Sequence, residues 1–284
     1  MHLLAILFFV LVAIGIRSQE KWLDRDLSET KWTQRWYRTL FCFCFPGLLL
    51  PIAAIAVLYM GCHGQMLGIK AGMAGCVISG SLLIFALVCW LKLFYQGDRS
   101  VRRLKNYPQQ IVAGTTVRIV GLDLPYSAQI GFWHPELVMS KGLLESLDEQ
   151  HLAAVIAHEQ AHVTYRDTFW FFWLGWIRAF SFWLPYTETL WQELLLLREL
   201  RADRLAAKSV DFLLLAESLL TVAKTPLECP NCCVSLNDAR IGDRLSERIE
   251  ALLDPDMSIP AASWRNWSWL CLLSLPLLTI PLHY

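Results

Sequence analysis

Two histidines stand four residues apart in an apolar stretch in the middle of the chain. The segment reads A-A-V-I-A-H-E-Q-A-H-V, in which His158 and His162 enclose Glu159. On a helix this spacing points both rings to one face, where each imidazole can reach a zinc ion at about 2.0–2.1 Å. Glu159 points to one side, where it can hydrogen-bond a metal-activated water instead of binding the metal. The pattern predicts a zinc-dependent hydrolase with Glu159 as its catalytic residue.

The surroundings of the motif decide how much weight it carries. By chance alone, an HExxH pattern arises in roughly one in a hundred chains with this many histidines, and two histidines on an ordinary amphipathic helix are the alternative. Here the flanks are aliphatic, Gln160 and Ala161 are uncharged, and no proline interrupts the segment. Unpartnered imidazoles on so apolar a helix would be costly, which favours the metal site.

A catalytic zinc site needs a third protein ligand and one open position. Downstream, R-E-L-R-A-D places Glu199 and Asp203 on one face of a predicted helix, and Glu199 follows His162 by 37 residues. Alone, this pattern is more typical of a solvated charged face. Together with the histidines, it predicts Glu199 as the third ligand and Asp203 as the carboxylate that fixes an imidazole tautomer.

Other parts of the catalytic machinery are less specified. Arg240, Arg244 and Tyr165 are candidate donors to the developing oxyanion, and the sequence does not choose among them. We expect the substrate to lie extended along an edge strand near Glu136–Ser140.

Three thiols lie close together in sequence after the Glu199 motif, at Cys229, Cys232 and Cys233. Three thiols lack the fourth ligand of a structural zinc site. Ordinary free thiols are therefore one interpretation, and a redox trigger is the other.

The composition is that of a membrane protein. Hydrophobic residues make up 55% and charged residues 18% of the chain, and the mean hydropathy is +0.40. Basic and acidic residues balance at 25 each, so we do not expect the protein to bind nucleic acid directly. Thirteen tryptophans suit a membrane–water interface. The nine cysteines are an odd number, and several lie in apolar runs, which disfavours a disulfide framework.

Four apolar segments are predicted to span the membrane: Met1–Ile16, Leu40–Met60, Ala71–Leu91 and Asn266–Leu282. Charge follows the first segment instead of preceding it, which indicates a retained anchor. The 17–38 loop carries six basic residues, the next loop only Lys70, and five more basic residues follow the third span. Basic loops stay cytoplasmic, so the catalytic region faces the cytoplasm of a bacterial inner membrane.

These spans divide the chain into three predicted parts. Residues 1–95 form a three-span region, residues 96–265 a cytoplasmic metallopeptidase domain, and residues 266–284 a final transmembrane helix. Within the domain, three strands form a small sheet and four helices surround it. The predicted strands are Thr116–Leu122, Ala128–Trp133 and Glu136–Ser140. The first predicted helix begins at a capping box formed by Ser146 and Glu149 and ends at about Tyr165. The other three are Thr187–Lys208, Val210–Ala223 and Ile241–Leu252.

An aromatic segment, Thr168–Leu184, follows the zinc helix and reads T-F-W-F-F-W-L-G-W-I-R-A-F-S-F-W-L. Its apolar residues face every side and only Arg178 interrupts them. A buried helix of the soluble domain is one interpretation. The other is a membrane-proximal helix with its rings at headgroup depth and Arg178 extending to water, so that the active site lies against the bilayer.

The region from Pro125 to Val210 resembles the BlaR/MecR-type membrane metallopeptidases, the antirepressor sensors of the gluzincin group. P-Y-S-A-Q-I-G-F-W-H-P-E-L-V-M-S resembles their strand pair, L-L-E-S-L-D-E-Q-H-L-A-A-V-I-A-H-E-Q-A-H-V-T-Y-R-D their zinc helix, and R-E-L-R-A-D-R-L-A their third-ligand helix. R-L-S-E-R-I-E-A-L-L resembles their closing helix. The resemblance implies a zincin-like fold that is mainly α with a small β-sheet. It implies His158, His162 and Glu199 as ligands, Glu159 as catalyst and Asp203 behind an imidazole.

One departure from that family affects the expected role. Its sensors carry an extracellular penicillin-binding domain after the last span, and this chain stops there, so we do not expect it to sense antibiotics directly. CAAX-type and HtpX-like membrane peptidases share the ligand pattern. The expected function is regulatory proteolysis and signal transduction through a protein substrate, for example a transcriptional repressor. HtpX-like quality control and a catalytically silent membrane interaction protein are the alternatives.

Overall fold

The computed structural model describes residues 2–18, 32–63, 65–66, 69–70, 72–223, 241–253 and 264–282. The chain folds into two compact units. The first comprises 1–92, 174–194 and 259–284, and the second comprises 93–173 and 195–258. Each unit is described by itself below.

The first unit is built mainly of apolar helices. These are α1 (His2–Ser18), α2 (Trp32–Met60), the start of α3 (Met73–Leu104) and a 3₁₀ helix (Trp264–Leu282), with two antiparallel two-residue strands, β1 (Gln65–Met66) and β2 (Ile69–Lys70), between α2 and α3. Phe9 and Ala13 of α1 pack with Leu49 and Ala53 of α2 and with Leu273 of the 3₁₀ helix. The core of this unit therefore joins helices that are far apart in sequence.

Among the described residues, two helices, α2 and α3, are long and apolar enough to cross a membrane. They contain the predicted spans Leu40–Met60 and Ala71–Leu91, except that α3 begins at Met73. The predicted spans Met1–Ile16 and Asn266–Leu282 fall on α1 and the 3₁₀ helix. The apolar stretches of these two helices, His2–Ser18 and Trp267–Pro281, have at most 17 residues and are shorter than those of α2 and α3. Core helices of soluble proteins can have the same length and composition.

The second unit contains a four-stranded sheet with the order β3-β4-β6-β5. Its strands are β3 (Gln109–Val112), β4 (Thr115–Val120), β5 (Ser127–Ile130) and β6 (Glu136–Ser140). β6 runs parallel to β4 and antiparallel to β5. The prediction that Glu136–Ser140 is an edge strand is therefore wrong, because β6 lies between two neighbours. β5 is an edge of this sheet.

β5 is shorter than the predicted strand Ala128–Trp133 because the chain turns at Gly131. The φ of Gly131 is +137°, and a Cβ there would lie 2.7 Å from the carbonyl oxygen of His134. Only glycine adopts this backbone conformation without strain. The turn projects Phe132 and Trp133 beyond the end of the sheet.

Six helices complete the second unit or link it to the first. They are α4 (Lys141–Ser146), α5 (Glu149–Thr164), α6 (Asp167–Phe180), α7 (Thr187–Ala206), α8 (Phe212–Ala223) and α9 (Ile241–Leu253). The predicted capping box at Ser146 is wrong, because Ser146 ends α4. Asp148 caps α5 instead, and its carboxylate accepts a hydrogen bond of 2.9 Å from the backbone N–H of His151.

The zinc-motif helix α5 lies between the sheet and three other helices. Alternate residues of β4 and β6, among them Val117 and Met139, form a buried cluster with Val155 and Ile156 of α5. On another face Ala154 of α5 packs with residues of α7, α8 and α9. Burial of each large aliphatic side chain stabilises such a core by about 1.5–3 kcal/mol. These contacts fix the direction in which the α5 histidines point.

Candidate metal centre

Three predicted ligands converge within the second unit. Nε2 of His158 and Nε2 of His162 are 3.2 Å apart. The Glu199 carboxylate approaches both, with Oε2 3.3 Å from Nε2 of His158 and Oε1 3.7 Å from Nε2 of His162. The side chain of His158 is 9% exposed and that of Glu199 19%, so the three groups meet in a largely enclosed space.

Local structure explains how two distant segments meet. His158 and His162 share one face of α5 because they are four residues apart on a helix. Arg166, with a φ of 53°, turns the chain between α5 and α6, so that α6 begins immediately at Asp167. α7 then brings Glu199 opposite the two rings. The 37-residue separation predicted from the sequence is thus filled by one helix leaving the site and another returning to it.

A carboxylate lies next to the Nδ1 atom of each imidazole, the ring nitrogen that does not face Glu199. Nδ1 of His158 lies 2.8 Å from Oδ1 of Asp203, and Nδ1 of His162 lies 2.7 Å from Oδ2 of Asp167. Both carboxylates are almost fully buried. In neutral rings, a proton on each Nδ1 leaves the Nε2 lone pairs directed toward Glu199.

The donor set fits a divalent cation. When both rings are neutral, two Nε2 lone pairs and a carboxylate point at one another, an arrangement that a shared cation stabilises. Tetrahedral zinc with bonds of about 2.0–2.1 Å places its ligand atoms about 3.3 Å apart. The separations of 3.2, 3.3 and 3.7 Å between ring nitrogens and carboxylate oxygens agree with this value. His158, His162 and Glu199 are also the only group of three metal-ligating side chains found so close together in the described part of the chain.

The charges around the site bias its protonation strongly. Burial opposes a charge on His158, but the carboxylates of Asp203 and then Glu199 raise its pKa to about 10. Burial likewise opposes a charge on Glu199, yet Arg198, His162, His158 and Arg248 hold the pKa of this carboxyl well below its usual range. The carboxylates around His158 thus favour a positive charge at this position, and a divalent cation bound to the three ligands would supply one.

Arginines balance the carboxylates. The guanidinium of Arg248 donates to Asp203 through Nε at 2.7 Å and through a terminal nitrogen at 2.8 Å, and lies 3.6 Å from Glu199. Burial alone would raise the pKa of Asp203, but Arg248 and then His158 lower it. Arg201 donates to Asp167, and Arg198 to Glu199 at 2.5 Å. Every buried carboxylate that touches a ligand histidine thus has an arginine partner.

Glu159 lies beside the ligands and is 6% exposed. Its Oε1 accepts a hydrogen bond of 2.7 Å from the hydroxyl of Ser127, the first residue of the edge strand β5. The carboxylate is therefore anchored to the strand along which an extended peptide could pair.

The structure describes two of the three predicted oxyanion donors, Tyr165 and Arg244. Tyr165 is the C-cap of α5, and the guanidinium carbon of Arg201 lies 4.0 Å from the centre of its ring. Arg240 and the thiols Cys229, Cys232 and Cys233 lie outside the described residues. Arg244 lies on α9, one turn before Arg248, and Arg248 is the residue of α9 that binds Asp203 and Glu199.

Sequence reasoning missed three contributors: Asp167, Arg248 and Ser127. Asp167 closes the R-D ending of the zinc-helix segment and carries a signal, since it follows His162 by five residues. Arg248 lies within the R-L-S-E-R-I-E segment, four residues after the candidate Arg244, so the sequence indicated the right helix but a different arginine. Ser127 carries no sequence signal of its own.

Two histidines and a glutamate that converge from neighbouring helices, with the HExxH glutamate beside them, define a zincin-like metallopeptidase site. Residues 126–196 match the model of Peptidase family M48. The match covers β5, β6, the HExxH helix and the start of α7, and it supports a metallopeptidase domain. It ends three residues before Glu199, so the part played by Glu199 rests on the geometry of the site. No curated protein matches the chain significantly.

Proposed function

We propose that this protein is a membrane-bound zinc endopeptidase that hydrolyses peptide bonds in a protein substrate. One observation carries the proposal: Glu199 lies 3.3 Å from Nε2 of His158 and 3.7 Å from Nε2 of His162. M48 metallopeptidases are typically zinc-dependent, which agrees with the tetrahedral ligand spacing. His158, His162 and Glu199 hold the metal, which when bound activates water and polarises the scissile carbonyl.

The side chains of the protein supply the remaining steps. Glu159 takes the proton of the attacking water and passes it to the leaving amine. The Ser127 hydroxyl holds the Glu159 carboxylate in position for both transfers. Asp203 and Asp167 fix the orientation of the two imidazoles from the side away from the substrate. Arg248 influences charge at the site through its contacts with Glu199 and Asp203.

The edge strand β5 is the proposed substrate platform. Among the described strands it pairs on one side only, with β6, and its first residue binds Glu159. A peptide added to the free side by main-chain hydrogen bonds would pass beside the carboxylate. An enzyme that grips its substrate by the main chain cuts within extended segments, which favours endopeptidase activity.

Exposed apolar side chains on α3 support the membrane location. Val77, Ile84 and Leu87 are 60%, 65% and 54% exposed, and only 22% of the most apolar stretch of the helix is buried. So much apolar surface on one helix is costly in water and favourable in lipid. Together with the distribution of basic residues, this favours an inner-membrane protein whose active site faces the cytoplasm.

Regulatory proteolysis, for example of a transcriptional repressor as in BlaR/MecR-type proteins, is the physiological role we propose. HtpX-like degradation of damaged membrane proteins uses the same chemistry. The intact ligand set, together with its carboxylate and arginine partners, argues against a catalytically silent protein.

The test begins with purified protein in detergent. We expect about one zinc per chain and zinc-dependent cleavage of casein, with Glu159→Gln abolishing cleavage while zinc stays bound. Glu199→Gln should lose both zinc and activity. A protein that holds no zinc, or a Glu159→Gln variant that cleaves casein at the wild-type rate, would overturn the proposal. Proteomes of cells carrying wild-type or Glu159→Ala protein would then identify the substrate as the species that accumulates uncut.

A further inference from the structure

Six aromatic residues form a contiguous cluster in the second unit, at the end of the edge strand and the start of α6. Ring centroids are 5.0 Å apart between Phe132 and Phe169, 4.9 Å between Phe132 and Phe172, and 5.4 Å between Trp133 and Phe169. Trp170 and Trp173 extend the cluster along α6. The residues of this aromatic cluster are Phe132, Trp133, Phe169, Trp170, Phe172 and Trp173.

The cluster is only partly buried. Trp133 is 71% exposed and Trp170 is 56% exposed. Isolated exposed apolar residues are normal on a protein surface, but a contiguous patch of rings marks a surface that contacts something apolar. The turn at Gly131 holds two of the rings in place, so the exposure is a built feature of the fold.

The chemistry of the cluster suits the interfacial region of a lipid bilayer. The segments F-W-H-P and F-W-F-F-W contain one polar residue, His134, and no charge. Tryptophan combines a large apolar ring with one N–H donor and is enriched at headgroup depth. α6 remains apolar after the cluster, through Leu174, Trp176 and Ile177. α3, a candidate membrane span, ends with Arg99, Arg102 and Arg103, which attract anionic headgroups.

Both arms of the cluster are joined directly to the metal centre. Asp167, which contacts His162, is two residues before Phe169 on the same helix. Ser127, which binds Glu159, leads along β5 to Phe132. A surface that binds the cluster therefore lies close to the strand proposed to hold the substrate.

We propose that the aromatic cluster inserts into the interfacial region of the bilayer, and that the enzyme therefore cuts membrane-anchored proteins in the segment next to the lipid surface. The choice of substrate rests on the proposed peptidase function, whereas lipid insertion does not. A protein partner or a second copy of the chain on the same surface would be a different outcome.

Lipid contact is tested with the full chain in nanodiscs of phosphatidylcholine and phosphatidylglycerol that include a photoreactive diazirine phospholipid. After irradiation, mass spectrometry should find lipid adducts on the peptides containing 132–133 and 169–173. The Trp133→Ser/Trp170→Ser variant should lose these adducts, and Trp133→Phe/Trp170→Phe should keep them. Ile111→Ser is the matched control, because Ile111 is 79% exposed on β3 and lies outside the cluster.

Adducts confined to other segments of the wild-type protein would overturn the proposal, as would cross-links between two chains through the cluster.

Proteolytic activity supplies the second readout. The double serine variant should cleave free casein at the wild-type rate but lose cleavage of a casein segment tethered by a transmembrane helix in the same nanodisc. Equal loss on both substrates would mean that the cluster supports the catalytic site itself, and would contradict the proposal that it acts through the membrane. If the wild type cleaves neither substrate, the peptidase proposal fails while the adducts still decide lipid insertion.

Discussion

Nδ1 of His162 lies 2.7 Å from Oδ2 of Asp167, the first residue of the helix that follows the HExxH helix. The second imidazole thus has a carboxylate of its own, separate from Asp203 behind His158. The contact depends on the sharp turn at Arg166, which starts α6 without a linker. The same helix carries the aromatic cluster, so one turn serves both the metal centre and the surface beside it.

Removal of the charge on Asp167 should weaken metal binding. Partners that orient a ligand histidine typically contribute a factor of about 10–100 in metal affinity, so Asp167→Asn should raise the zinc dissociation constant by that factor. Competition with a fluorescent chelator measures the change. Asp98→Asn is the matched control, because Asp98 pairs with Arg102 on an exposed helix surface and should leave zinc affinity unchanged. Equal affinity for wild type and Asp167→Asn would show that the contact does not orient His162.

Arg248→Met should destabilise the metal-free protein. The guanidinium is 16% exposed and neutralises Asp203 and Glu199, so its loss leaves buried carboxylates with less compensation. Breaking a buried pair in this way costs about 3–5 kcal/mol of the free energy of unfolding. Thermal unfolding in detergent measures the effect. Arg102→Met, at a guanidinium that is 77% exposed, should change the stability by less than about 1 kcal/mol.

Zinc should partly rescue Arg248→Met, because a divalent cation at the three ligands supplies the positive charge that the arginine no longer provides. The rise in melting temperature on addition of zinc should therefore be larger in the variant than in the wild type. An equal rise in both proteins would mean that Arg248 does not share the electrostatic role of the metal.

Much of the site could be predicted because helix periodicity fixes it. The four-residue spacing that aligns His158 with His162 also aligns Glu199 with Asp203, so the sequence alone indicated which side chains could share a face. Their approach to within 3.3–3.7 Å depends on packing between α5 and α7, which no local pattern encodes. The sequence therefore predicts which residues could bind one metal ion, and the tertiary structure shows that they lie within this distance of one another.

The sheet was harder to predict than the helices. The predicted strand Glu136–Ser140 has the bounds of β6, in which the last four residues are all buried. Its place between β4 and β5 was not predicted, since strand order depends on pairings across the chain rather than on residues within the strand. The partnership of Ser127 with Glu159 was missed for the same reason. A serine in an edge strand gains its role only from the helix that packs beneath it.

Zinc binding should depend steeply on pH. In the metal-free protein the pKa of His158 is raised to about 10, so at neutral pH zinc must displace a proton from a ligand nitrogen. A raised pKa favours the protonated, metal-free form at low pH, and zinc affinity therefore increases as the pH rises toward that value. Between about pH 6 and about pH 8 the apparent affinity should rise by roughly tenfold per pH unit.

Calorimetry in buffers of different ionisation enthalpy should find about one proton released for each zinc bound near neutral pH. The Asp203→Asn variant should release fewer protons, because the neighbouring charge that raises the pKa of His158 is gone. Proton release that is unchanged in Asp203→Asn would assign the proton to a different group.

Ser127→Ala should lower the rate of catalysis without removing the metal. The Ser127 hydroxyl donates to Oε1 of Glu159 at 2.7 Å, and a hydrogen bond to a charged group contributes about 1.5–3 kcal/mol. If the bond positions Glu159 in the transition state, kcat should fall by roughly 10–100-fold while KM and zinc content stay the same. Ser127→Thr keeps the hydroxyl and should recover most of the rate, whereas Ser146→Ala, at the end of α4, should have no effect. A rise in KM with unchanged kcat would mean instead that Ser127 serves the edge strand as a binding surface, because the carboxylate would then reach the water without its help.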